Sequence, residues 1–256
     1  MSHSDYDDNE LYEPQMCVLL SNSGMQQTAL ACDHCVTGPA RCQAAQKCQA
    51  AVLTDGETNQ YIFAKSTSTA TLVSKEKDCF LEVKALVIGG GGNRASGAGG
   101  GGSGYVEFGT IKVMVNETLS LSVGSIGQAS SFERSGQVLL LASAGDGGSS
   151  SRGGDGYTGG GSPSAKGGED GGDGDSSSSN TGGHGSGLDI GSVNMTNFEL
   201  TPGKGGMSSS SNGGGGGGVI VNEEQPSGEN DYQGEGFGGG SGYGNGGRSG
   251  CVLIEV

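Results

Sequence analysis

Short apolar runs of strand length alternate with glycine tracts along most of this chain. Residues 79–88 (CFLEVKALVI) alternate through Phe80, Glu82 and Lys84 and then end apolar against Gly89. Successive side chains of a strand point to opposite faces, so this pattern predicts a strand. Leu119-Ser-Leu121-Ser-Val123 repeats with period two, as a half-buried strand does. Residues 137–142 are more uniformly apolar and predict a strand buried on both faces. Further strands are predicted over 61–63, 70–73, 105–108, 111–115, 219–221 and 251–256, with Gly109 splitting the fourth from the third. The Ala-rich stretch 44–52 predicts helical character, closed by the turn Thr54-Asp55-Gly56. Short apolar islands stand at 188–190 and 197–200.

The glycine tracts that follow or precede these strands are too long for turns. They stand after Ile88, before Tyr105, before Val219 and before Cys251. Of 256 residues 56 are glycine, and each loses more conformational entropy on folding than any other residue, so order in such tracts needs dense compensation. One way to supply it is polyproline II geometry. Three residues complete a turn, and several such helices pack backbone to backbone where no Cβ fits. Cα–H···O contacts support that packing. From 145 to 187 the chain is nearly all Gly, Ser and Asp and holds no side chains for a core. The competing reading is a low-complexity chain. Leu, Ile, Val and Phe make up roughly 18 % of the residues, below the ~20 % where disorder becomes the default. Against it stands the clustering of the apolar residues into strand-sized blocks. The fold class expected from the residues is mainly β: a β scaffold carrying packed glycine helices, with a small Cys-rich N-terminal module. The divisions are 1–16 as a disordered acidic tail, 17–58 as the Cys-rich module and 59–256 as the glycine-rich β domain.

Charge narrows the partners. A formal net charge of -15 disfavours nucleic acid and anionic membrane surfaces, which attract Lys and Arg. No apolar run reaches 18 residues, so no membrane insertion is expected. Seven cysteines are present, and Cys17, Cys32, Cys35, Cys42 and Cys48 crowd one short segment. That density suits disulfides in an oxidising compartment. The sequons Asn116-Glu-Thr118 and Asn194-Met-Thr196 are compatible with secretion. The acidic start has no signal-peptide pattern. An extracellular location is the expectation, with a virion or the cytoplasm as the alternative; nothing in the sequence bears on oligomeric state.

The order of blocks carries a resemblance. VIGGGG, GAGGGGSGYVEFGTI, NETLSLSVGSIGQASSF, VLLLASAGDGG, PGKGG, GFGGGSGYGNGG and GCVLIEV follow one another between residues 59 and 256. This series resembles the glycine-rich domain of some phage tail and adhesin proteins, and the glycine-rich region in the extracellular part of anaplastic-lymphoma-kinase-type receptors. The resemblance implies a β-sandwich-like scaffold with packed glycine helices and a role in binding. The chain departs from the receptors in lacking a kinase domain and a membrane span, and from the phage proteins in its Cys-rich start.

Candidate chemistry is sparse. Cys32-Asp-His34-Cys35, Cys42 and Cys48 form C-x2-C-x6-C-x5-C, a set that suits disulfides first, a structural zinc second and free thiols third. A small zinc or redox module there is the third functional reading. Cys79 and Cys251 each open a strand, and parallel neighbours in register would bring them within disulfide reach. Gly90, Gly92 and Ala95 match a dinucleotide fingerprint in letters only, because no helix follows to hold a pyrophosphate. The acidic residues 169–175 miss the known calcium-loop patterns and read as solvated loop charge. No nucleophile–base constellation has supporting context, so no enzyme and no cofactor are expected. Tyr157, Tyr232, Phe237 and Tyr243 sit in or beside glycine tracts. Aromatic rings flanked by Gly and Ser give rigid contact area with adaptable neighbours. They are the candidate binding residues, for a protein or glycan partner. The alternative is a structural matrix component without a discrete site.

Overall fold

The computed structural model describes residues 17–18, 29–30, 46–49, 51–54, 58–76, 79–93, 100–147, 190, 193–206, 214–224, 226, 231–242 and 246–256. All regular structure among them is strand. The chain divides into two compact units, 1–44 and 45–256. In the first, β1 (Cys17–Val18) pairs antiparallel with β2 (Ala29–Leu30). The expected acidic tail 1–16, and Cys32, Cys35 and Cys42, lie outside the described residues.

The second unit is mainly β. Its strands are β3 (Gln46–Lys47), β4 (Ala51–Thr54), β5 (Thr58–Asn59), β6 (Tyr61–Ala64), β7 (Ser68–Ser74), β8 (Cys79–Ile88), β9 (Val106–Met114), β10 (Thr118–Ser122), β11 (Ser130–Arg134), β12 (Gln137–Ala142), β13 (Leu200–Pro202), β14 (Val219–Val221) and β15 (Cys251–Glu255). One antiparallel sheet has six strands in the order β12-β11-β10-β7-β4-β5. The other sets β8 between β9 on one side and β15 on the other, with β6 beyond β15 and β3 parallel to the start of β8. A small hairpin joins β13 and β14.

The two larger sheets bury one core between them. Leu53, Leu72, Leu119, Leu121 and Phe132 come from the six-stranded sheet, and Val83, Ala85, Val87, Val252 and Ile254 from the other. A second core covers the opposite face of β8 and β15, where Leu86, Ile88, Cys251 and Leu253 meet Val219, Val221, Phe198 and Phe237. This explains the pattern of 79–88. Its odd positions face the first core throughout, while its even positions face solvent at Glu82 and the second core from Leu86 onward.

Several expectations need correction. The stretch 44–52 holds β3 and part of β4, and no helix occurs among the described residues. Pairing with β8 and β7 overrides the local Ala-rich propensity. Gly109 does not split a strand: β9 runs through it opposite Ala85, and the Leu140 side chain lies over the space its missing Cβ would take. Residues 137–142 are not buried on both faces: Leu140 and Ala142 are buried, while Val138 is 48 % exposed. The strand β11 was not foreseen. It is short and polar at its ends, and only Phe132 among its side chains is a large apolar one. The β11–β12 hairpin turns at Ser135 and Gly136, both with positive φ, as a tight hairpin with native twist requires.

The last strand does pair with β8, but antiparallel, with Cys251 opposite Ile88. Cys79 therefore lies at the far end of β8 from Cys251. The expected Cys79–Cys251 bridge is replaced by Cys48–Cys79, with Cα atoms 5.0 Å apart and a sequence separation of 31. Closing a loop of that length restricts the unfolded chain and contributes roughly 3–4 kcal/mol. It also withdraws Cys48 from the four-cysteine set with Cys32, Cys35 and Cys42.

One anchor was not legible in the sequence. Glu255 ends the otherwise apolar β15, with its side chain 3 % exposed. Its carboxylate accepts the N–H groups of Thr196 and Asn197 at 2.7–2.8 Å and the Lys84 ammonium at 3.0 Å. Burial acts to raise its pKa, but the Asn197 and Thr196 N–H groups and Lys84 outweigh it and hold the carboxyl below its ordinary value. A depressed folded-state pKa means that the unfolded chain binds the proton more readily. The stabilisation is present above the ordinary carboxylate range and is lost as pH falls through the folded value. Glu255→Gln is expected to cost about 2 kcal/mol at neutral pH, from weakened charge-assisted bonds. The gap between wild type and variant should close as the solution is acidified. Urea melts of both proteins across the acid range check this, and a gap independent of pH would contradict it.

Candidate functional site

The strands β8, β9, β12, β13, β14 and β15 all continue into glycine-rich segments, and those segments bond to one another. Gly89 and Gly92 donate to the carbonyls of Tyr105 and Gly102 at 2.9 and 2.8 Å. Gly101 and Gly104 donate to Ser241 and Gly238 at 2.8 and 2.7 Å. Gly102 and Tyr105 donate to Asp146 and Ser143, both at 2.9 Å. Gly203 and Gly206 donate to Gly218 and Gly215, both at 2.8 Å. In each pair the donors are three residues apart and so are the acceptors. A strand would repeat every two residues, and an α-helix would bond within itself. Segment 100–105 thus meets three neighbours in rotation: 89–92, 143–146 and 238–241.

These segments approach too closely for side chains. A Cβ on Gly101 would fall on the Gly92 carbonyl oxygen, one on Gly91 on that of Gly239, and one on Gly215 on that of Gly240. Each obstacle is backbone, which cannot swing aside. The glycines 89–92, 101, 102, 104 and 214–218 are buried although they carry no side chain. Gly236 and Gly238 have φ of 82° and 74°. These left-handed values turn the backbone on either side of Phe237.

The chain enters and leaves this array at one end. Residues 89–93, 143–147, 203–206 and 238–242 run outward through it, and 100–105, 214–218 and 246–250 run back toward the strands. Asn93, Gly147 and Gly246 converge: a Cβ on Gly147 would stand 2.9 Å from the Asn93 carbonyl oxygen, and one on Gly246 3.5 Å from Asn93 Oδ1. Gly206 and Gly242 both abut the Tyr232 carbonyl, which also accepts the Gly215 N–H at 3.0 Å. Bonds from Gly101 to Ser241 and from Ser241 to Gly92 join the two clusters. Buried polar side chains fasten the neighbouring backbone. The Arg248 guanidinium donates to the Pro226 carbonyl at 2.7 Å, and the Gln233 amide donates to the Gly246 carbonyl.

The predicted binding residues separate. Tyr232 is half-buried beside the loop end of the array. Tyr157 and Tyr243 lie outside the described residues. Phe237 is 2 % exposed and belongs to the second core. Its ring meets Phe63 edge-on at 5.4 Å between centroids, so it is a packing residue, and the neighbouring glycines had suggested an exposure it does not have. Cys251 is a free, fully buried thiol whose pKa is pushed up by burial; that favours the inert protonated form. Among the described residues, no group of three or more His, Cys, Asp or Glu is placed to hold a metal ion. Among them, too, no helix is long and apolar enough to cross a membrane. What sequence reasoning missed is the convergence of Asn93, Gly147 and Gly246. No local signal marks it, because the three residues meet only through long-range pairing. No protein-family model, characterised protein or solved structure matches this chain.

Proposed function

We propose that this chain is a non-enzymatic binding module of the adhesion type. A β-sandwich carries a bundle of polyproline-II-like glycine segments, and the bundle holds loops toward a protein or glycan. The three-residue repeat of donors and acceptors supports polyproline II geometry, which has three residues per turn. The shared core of the two large sheets supports the sandwich. The observation that carries the function is the gathering of Asn93, Gly147 and Gly246 at one place on a hydrogen-bonded glycine array. Segments 94–99, 148–189, 207–213 and 243–245 are built largely of Gly, Ser, Asp, Asn and Tyr, a composition close to that of binding loops held by a rigid scaffold. Buried glycines bonded on several sides favour such a module over a matrix of unpacked tracts. The Cys48–Cys79 bond fits an oxidising, extracellular setting.

The test is adhesion to arrayed glycans and extracellular-matrix proteins. Replacing residues 150–187 by a short Gly-Ser linker is expected to keep the cooperative melt and abolish adhesion. Tyr232→Ala combined with Tyr243→Ala is expected to weaken binding tenfold or more, about 1.4 kcal/mol, since aromatic anchors dominate many interfaces. Adhesion that ignores both tyrosines and collapses with added salt would mean an ionic contact and would overturn the reading.

A further inference from the structure

Six asparagines lie among the described residues, and four of them, Asn59, Asn93, Asn197 and Asn222, carry no sequon. Asn197 and Asn222 are engaged: the first donates to Glu255, and the second accepts the Glu199 N–H at 2.8 Å. Asn116 and Asn194 carry the two sequons, are exposed, and have no side-chain hydrogen bond among the described residues. The sequon threonines Thr118 and Thr196 are exposed as well.

The surroundings of Asn116 leave it open to an attached group. It stands in the reverse turn between β9 and β10 with φ 62°, a conformation that Asn adopts more readily than most residues. Its backbone N–H is held by the Leu72 carbonyl at 2.7 Å, and the Glu117 carboxylate takes the Met114 N–H at 2.8 Å. The turn is thus fastened through its backbone while the amide projects. Val115 donates to the Cys79 carbonyl, which puts the turn at the start of β8, at the opposite end from Ile88 and the glycine array. Asn194 is fastened in the same way. Its carbonyl accepts Lys84, Met195 is buried beside it, and the Thr196 N–H is taken by Glu255. The second, independent sign is the Cys48–Cys79 bond, which forms in the oxidising compartment where sequons are used.

We propose that Asn116 and Asn194 are N-glycosylation sites. In the reaction the side-chain amide nitrogen attacks the anomeric carbon of an oligosaccharide carried on a lipid pyrophosphate. A C–N bond forms and the C–O bond to the pyrophosphate breaks. The lipid pyrophosphate leaves with the electron pair, and the proton shed by the amide balances its charge. A glycan on Asn116 stands clear of the loop end of the glycine array, so modification there and binding at the other end are compatible. The inference rests on the extracellular reading and not on the identity of any binding partner.

The full chain, behind a heterologous secretion leader, is expressed in a glycosylating eukaryotic cell. The product is treated with peptide N-glycosidase in heavy-oxygen water, and its peptides are read by mass spectrometry. The expected result is heavy-oxygen aspartate at positions 116 and 194 in most chains. Thr118→Ala leaves Asn116 and its turn in place. It is expected to lose the label at 116 and keep it at 194, while Thr118→Ser keeps both. Recovery of unmodified Asn116 and Asn194 from protein whose Cys48–Cys79 bond is intact overturns the proposal. So does recovery of Cys48 and Cys79 as free thiols, because it removes the compartment. If a variant is poorly secreted, the same peptides from the wild-type chain and from the microsomal fraction give the answer.

Discussion

Gly101→Ala is expected to remove more than about 4 kcal/mol of stability, and Gly101→Val to abolish the cooperative melt of the 45–256 unit. The new Cβ falls on the Gly92 carbonyl oxygen, with the Ser241 hydroxyl 2.9 Å away. Gly92 cannot move without cost, because its carbonyl already accepts the Ser241 N–H at 3.0 Å. Gly101 cannot move either: its N–H is bound to Ser241 and its carbonyl to Gly216. Relief of the clash breaks several of these bonds and leaves buried donors unpaired, at about 1–3 kcal/mol each, besides the overpacking itself at about 1–3 kcal/mol. Gly136→Ala is the control. It meets nothing within 4 Å and has φ of 79°, so only the left-handed backbone opposes it, at roughly 1–2 kcal/mol. Urea melts followed by circular dichroism compare the two. Equal midpoints would mean that the glycine segments are not packed backbone to backbone.

Phe237→Ala is expected to cost about 3–5 kcal/mol, the usual range for deleting a buried aromatic ring. The ring fills the second core against Phe63, and its backbone exchanges hydrogen bonds with Val219 at 2.7 and 3.0 Å. Truncation should therefore loosen β14 and the segment 214–218 together, visible as faster amide exchange there, while β10 and β11 in the other sheet keep their protection. Tyr232→Ala, at a half-buried position, is expected to leave the midpoint within a few degrees. A Phe237→Ala protein with unchanged stability and lost adhesion would return this residue to the binding surface.

The contrast between Phe237 and Tyr232 shows what was legible in the chain. Both stand among glycines and Ser, Asp or Asn, and both read as exposed rings. Packing against Phe63 of β6 and the second-core side chains of β8, β14 and β15, brought together from distant parts of the chain, makes Phe237 a core residue. Cys79 shows the same limit. Its place at a strand start was readable, but its partner depended on strand direction. A parallel β15 would have brought Cys251 beside it, whereas the antiparallel one brings Cys251 beside Ile88. The candidate site was legible in composition alone. Loops of Gly, Ser and Tyr could be named, but not the meeting of Asn93 with Gly147 and Gly246.

The sequence by itself determined the strands with clear periodicity and the alternation of strand with glycine tract. Period two and β-branched residues are local signals, and a tract of glycines at strand ends excludes both helix and side-chain core. It also determined that the tracts, if ordered, had to pack through backbone. Tertiary structure decided the rest. Within 44–52, Gln46, Lys47, Ala51 and Val52 became strand because β8 and β7 offered partners, and Gly109 stayed within β9 with the Leu140 side chain over it. Glu255 became an anchor because β8 supplied Lys84 and the chain before β13 supplied two N–H groups. Each of these outcomes depends on contacts between residues far apart in sequence, and such contacts leave no periodicity for a local pattern to show.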